Sequence, residues 1–137
     1  MTTRTIACAP VNPNASERRW EPPALLLELG ASDPELIANL IVTFQEDTTN
    51  RMSRIREAVA NADFCEVRAQ AHTIKGGARE LGAEAVAEAC QALEKMSKDE
   101  NVLLVAAQVG RVAEALEMAQ RDMAAYSREY SPASPRI

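Results

Sequence analysis

From Glu35 to Ser131 the chain contains no proline; all seven prolines lie at positions 10, 13, 22, 23, 34, 132 and 135. Proline removes a backbone donor and clashes with the preceding turn, so an interior this long without it leaves room for long unbroken helices. The same interior is rich in Ala, Glu, Leu, Gln and Arg, which favour helices, while aromatic residues make up only 4% of the chain and supply strands poorly. An all-α fold is therefore predicted. At 137 residues one domain is the default, and an apolar share of 47% is enough for a single core.

Charge and composition narrow the function. Fifteen Lys and Arg against twenty Asp and Glu give a net charge of −5, with no basic surplus for neutralising phosphates, which argues against nucleic acid as a partner. No apolar run approaches the ~20 residues of a membrane span. The stretch from Met1 to Ala15 lacks the apolar segment of a secretory signal, so a cytoplasmic setting is expected. Cys8, Cys65 and Cys90 are odd in number and widely spaced, which suits neither a disulfide framework nor a zinc knuckle. With His72 the single histidine, an imidazole-rich metal site is excluded and no metal ligands are expected.

Five helices are predicted. Met1 to about Glu21 and Ser131 to Ile137 carry Pro, Ser, Thr and Asn without periodicity and read as mobile tails around a bundle spanning 22–130. Pro22-Pro23 opens a short helix, Ala24 to Leu29, with Gly30 suited to a left-handed terminus. A second helix opens at Asp33-Pro34, with Asp33 as cap, and runs to about Asn61; Ile37, Ile41, Phe44, Thr48, Met52, Ile55 and Val59 form its stripe. The third begins at Asp63, with Glu66 three residues on, and carries Phe64, Val67, Ala71, Ile74, Ala78 and Leu81 before Gly82. The fourth, from about Ala83 to Lys98, uses Val86, Cys90 and Leu93. The fifth runs to about Tyr126 with the stripe Val102, Val105, Val109, Val112, Leu116, Ala119, Met123 and Tyr126. Short connections make sequential helices antiparallel. The prediction is an up-down-up-down four-helix bundle with the short first helix covering one end.

The informative stretch is Ala71-His72-Thr73-Ile74-Lys75-Gly76-Gly77-Ala78-Arg79-Glu80-Leu81-Gly82. At 100° per residue, Lys75, Gly76 and Arg79 share the face of His72, opposite the packed stripe. Each mid-helix glycine costs about 0.5–1 kcal/mol relative to alanine. Either the helix ends at the glycines, or it continues and the glycines serve something other than packing. Ala78 and Leu81 stay in phase with Phe64 to Ile74, which favours a continuous helix and leaves lost side-chain bulk beside His72 as the gain. A neutral imidazole is a good nucleophile near neutral pH. A phosphoryl group on its distal nitrogen would add roughly two negative charges. Lys75, one turn away, is placed to offset them, and Arg79 lies further along.

This segment resembles the signature of histidine-containing phosphotransfer (HPt) domains, Ala-His-x-Leu-Lys-Gly followed by small residues and a later glycine. Ala71, His72, Lys75, Gly76 and Gly82 match, with Ile74 in place of leucine and Gly77 where a small residue is common. Leu40-Ile41-Val42-Thr43-Phe44 and Cys90-Gln91-Ala92-Leu93-Glu94 are similar to the family's second- and fourth-helix segments, so the resemblance covers about Trp20 to Tyr126. It implies a phosphoacceptor at His72, assistance from Lys75, and room at Gly76 and Gly77 for a docking receiver domain. Arg79 joins them on geometry alone. The implied partners are response-regulator receiver domains, of a hybrid sensor kinase and of a downstream regulator. The receiver is expected to bring Mg²⁺, and this chain, as a monomer, no cofactor. No glycine-rich ATP-binding boxes are present, so a phosphotransfer carrier rather than an ATP-dependent kinase is implied.

Two other readings stand beside this one. A helical adaptor could bind receivers or another protein without phosphotransfer. A thiol nucleophile would need a cysteine beside the histidine. Cys65 lies ~10.5 Å away along the helix axis, too far; sequence distance leaves Cys90 open.

Overall fold

A computed structural model describes residues 20–33 and 35–130. They form five helices and, among the described residues, no strand: α1 Ala24–Ser32, α2 Leu36–Ala60, α3 Phe64–Glu80, α4 Glu84–Lys98 and α5 Val102–Tyr130. The stretches 1–19 and 131–137, predicted as tails, and the proposed first helical position Pro34 lie outside the described residues.

The four long helices pack in a closed ring, each against its chain neighbours and α5 back against α2. Cross-helix contacts give the directions. Arg51 of α2 meets Gln70 of α3, while Gly77 of α3 faces the earlier Phe44. Arg68 reaches Ser97, whereas Arg79 reaches the earlier Gln91. In each pair one helix ascends as the other descends. The predicted stripes supply the core: Ile41, Ile55, Val67, Ala71, Ile74, Ala78, Val86, Cys90, Leu93, Val105, Val112 and Met123 are all buried.

Three-residue turns make the reversals, and each contains a residue at positive φ: Ala62 at 56°, Gly82 at 74° and Glu100 at 54°. After α3 the Gly82 N–H donates to Arg79 O (3.1 Å) and the Ala83 N–H to Ala78 O (2.8 Å), which closes the last turn as a Schellman motif. The predicted cap on α3 is present, the Asp63 Oδ1 accepting the Glu66 N–H at 3.2 Å.

Several sequence expectations need correction. Trp20, placed in the N-terminal tail, is buried; its indole N–H donates to Leu81 O at 2.7 Å and its ring meets Tyr126 edge-on at 5.6 Å. Among the described residues the packing therefore reaches back at least to Trp20, two residues before the expected start at residue 22. Trp20 and Pro22 are buried just ahead of α1, which has no fully buried residue of its own but packs on α2 with its half-buried Leu26 against the core. Gly30 does not end α1. The helix continues to Ser32, and a Cβ on Gly30 would stand 3.0 Å from Ile37 Cδ1, so its small size serves that contact. Asp33 makes no cap on α2, whose first residue is Leu36; its carboxylate instead accepts the Glu35 N–H at 3.3 Å. Ala58 takes the buried place assigned to Val59, which is half-buried, and Val102 is exposed, so the buried stripe of α5 starts at Val105.

Gly82→Ala tests the turn below the site. The left-handed backbone costs an L-residue roughly 1–2 kcal/mol, and the new Cβ would lie 3.1 Å from Pro23 Cγ. Urea unfolding is expected to show a loss of at least about 1 kcal/mol with helix content unchanged; an unaltered midpoint would contradict the conformation assigned to Gly82.

Candidate functional site

Helix α3 runs without interruption through Gly76 and Gly77, with Ala78 and Leu81 buried beyond them. The outward face therefore keeps its register. The His72 side chain is 71% exposed, and its Nδ1 lies 3.0 Å from Glu94 Oε2 on α4. Lys75, one turn on, has an Nζ–Oε1 distance of 2.6 Å to the same carboxylate and a side chain only 15% exposed. One carboxylate thus bridges the imidazole and the ammonium.

Burial alone would raise the Glu94 carboxyl. The hydrogen bonds and charges of Lys75 and His72 outweigh it and hold the group below its ordinary value. An ionised carboxylate only accepts hydrogen bonds, so Nδ1 is the protonated nitrogen of the neutral ring and the lone pair sits on Nε2. The ring is held at Nδ1 while most of its side chain stays exposed.

The other predicted residues occupy distinct surroundings. A Cβ on Gly76 would meet no atom within 4 Å, so the backbone beside His72 is open. Gly77 turns toward α2, where a Cβ would make ordinary contact at 3.8 Å with the Phe44 ring. It lines a largely apolar groove of about 560 Å³ with Leu25, Leu40, Phe44 and Leu81. Arg79 donates from Nη2 to Gln91 Oε1 at 2.9 Å, which ties it to α4 on the same side as Lys75 and Glu94. Cys90, left open by its sequence position, is fully buried. Burial first, then the Glu94 charge, pushes its thiol up to about 12, and it offers no nucleophile near neutral pH. Among the described residues no group of three or more His, Cys, Asp or Glu side chains could hold a metal ion. No helix among them is long and apolar enough to cross a membrane.

Sequence reasoning missed Glu94 as a site residue. A signal was present. Antiparallel helices turning at Gly82 place residue 72 opposite residue 92 by reflection, and Glu94 is the nearest carboxylate on α4 to that point.

The Hpt domain family model matches residues 39–125, more than half of the chain, and the chain belongs to that family. No curated protein and no solved structure matched significantly. A protein of this class takes part in phosphotransfer in two-component phosphorelays, which work through receiver domains.

The pairs made by Glu94 give a pH-dependent stability. Because the folded carboxyl sits below its unfolded value, its contribution is complete above about pH 4.3 and is lost as pH falls through the lowered folded value. Glu94→Gln is expected to cost about 1–2 kcal/mol at neutral pH, with the gap closing between about pH 5 and pH 2. Urea midpoints across that range measure it; a gap independent of pH would contradict the ion pairs.

Proposed function

We propose that the chain is a phosphorelay carrier on which His72 Nε2 accepts a phosphoryl group from the aspartyl phosphate of one receiver domain and passes it to the aspartate of another. The observation that carries this reading is an exposed imidazole whose rear nitrogen is held by an ionised carboxylate. In the step, the Nε2 lone pair attacks phosphorus, the N–P bond forms as the acyl P–O bond breaks, and the aspartate departs as a carboxylate. The proton stays on Nδ1, hydrogen-bonded to the ionised Glu94 carboxylate. The ring takes on positive character balanced by that carboxylate, and the ammonium of Lys75 offsets part of the roughly two negative charges that arrive.

The surface around the ring supports docking of a folded domain. Gly76 leaves the backbone bare, and the groove beside Gly77 continues it toward exposed Leu25 on α1. Gly76, Gly77 and Arg79 are assigned to this docking face. The partners are the receiver of a hybrid sensor kinase and that of a downstream regulator, and the receiver supplies Mg²⁺ while this chain holds none. The setting is cytoplasmic and the carrier is monomeric.

Incubation with a phosphorylated receiver is expected to place an acid-labile, base-stable phosphate on the chain, absent from His72→Gln. No label on the wild type would favour the adaptor reading. Lys75→Ala is expected to slow transfer by at least about tenfold with the fold intact; unchanged rates would remove Lys75 from the step. Gly76→Leu is expected to weaken receiver binding, measured by titration calorimetry, with helicity retained, and undiminished binding would contradict the docking role of the bare backbone.

A further inference from the structure

Along the seam between α3 and α4 the polar contacts fall in a fixed order. Arg79 meets Gln91, Lys75 and His72 share Glu94, and Arg68 reaches Ser97, one turn beyond Glu94. His72 therefore has a cation one turn to either side, Lys75 after it and Arg68 before it. The two differ in what they hold. Lys75 is paired with the Glu94 carboxylate at 2.6 Å. Arg68 donates from Nη1 to the Ser97 carbonyl at 3.5 Å and from Nη2 to Cys65 Sγ at 3.3 Å, and it has no carboxylate partner among the described residues. Both acceptors are uncharged. The first contact is longer than an ordinary N–H···O bond, and sulfur is a weak acceptor. A guanidinium with five donors thus keeps most of its capacity for an anion.

Helix geometry brings that capacity to the ring. Residues four apart have Cβ atoms about 5–6 Å from one another. Helical side chains tilt toward the N-terminus, so the His72 imidazole leans over the turn that carries Arg68. Both side chains also lie toward α4, His72 at Glu94 and Arg68 at Ser97.

We propose that Arg68 is a second ligand of the phosphoryl group: when His72 is phosphorylated, its guanidinium exchanges the Ser97 carbonyl and the Cys65 thiol for two phosphoryl oxygens. The assignment rests on the phosphohistidine reading above and adds to it a residue that contacts the transferred group. Two long contacts to uncharged acceptors give way to charge-assisted ones in the paired geometry that suits a guanidinium. The roughly two added negative charges and Glu94 then face two cations, Lys75 and Arg68, so the group is held without being trapped.

The test needs no receiver. Phosphoramidate, a small phosphoryl donor, is expected to label His72 of the full chain directly: Nε2 attacks phosphorus, the N–P bond of the reagent breaks and ammonia leaves. The ³¹P chemical shift of the labelled chain is then followed against pH through the second ionisation of the phosphoryl group, with the ¹⁵N shifts of the ring separating its own titration. A cation in contact favours the dianion, so in Arg68→Gln the midpoint is expected to rise by at least about half a unit. Arg68→Lys keeps the charge and loses the fork, and is expected to fall between the two. Lys98→Gln removes an exposed charge next to Ser97 and is expected to shift the midpoint by less than half as much. A tie between α3 and α4 alone would move the urea midpoint of the unphosphorylated chain and leave the phosphorus titration where it was. An unmoved midpoint in labelled Arg68→Gln, or an equal shift in Lys98→Gln, would overturn the assignment and leave the phosphohistidine in place. No label on His72 of the wild type would remove the phosphohistidine and this assignment with it.

Discussion

Ala78 and Leu81 hold α3 together across the two glycines. Both are buried in the common core, and neither would reach it if the chain unwound at Gly76. The helical continuity they impose sets the geometry of everything outside the core. It puts Lys75 one turn beyond His72 and Arg79 one turn further, all toward α4. The far end is fixed by the left-handed Gly82 and by Trp20, whose indole N–H satisfies the Leu81 carbonyl. Two residues with poor helix propensity are thus carried by the packing of their neighbours, and the cost of about 0.5–1 kcal/mol each leaves an unshielded backbone beside the imidazole.

Glu94 converts that register into chemistry. Alone on α4 its carboxylate would be penalised by burial; between an ammonium and an imidazole it is ionised below its ordinary range. One group therefore fixes the ring orientation, assigns the proton to Nδ1 and holds the Lys75 side chain against the bundle. On the proposed reaction the arriving phosphoryl group brings a second anion to an ammonium already engaged by Glu94. Two anions then share one cation, so the phosphohistidine is stabilised only in part, which suits a carrier that must release what it accepts.

Much of this was legible in the sequence because it depends on periodicity. Steps of three and four placed the core stripes of α2 to α5, and the same arithmetic put His72, Lys75, Gly76 and Arg79 on one outward face. The misses have local causes. Ala62 and Glu100 adopt the left-handed conformation without being glycine, so the turns they make carry no sequence mark. Gly30 looked like a terminus because glycine serves both left-handed backbone and close approach, and here Ile37 selects the second. Trp20 belongs to no periodic segment, and its burial follows from one long-range hydrogen bond and one ring contact. Glu94 stood out only as part of the fourth-helix segment Cys90 to Glu94, because its role exists only once α3 and α4 are laid side by side.

The linkage of phosphorus to the ring tests the central claim most directly. Phosphorus–nitrogen couplings in the NMR spectrum of the phosphorylated, ¹⁵N-labelled chain distinguish the two ring nitrogens and separate both from an acyl phosphate. The geometry predicts phosphorus on His72 Nε2 with a protonated Nδ1 still bonded to Glu94. Phosphorus on Nδ1, or on any group other than His72, would contradict it.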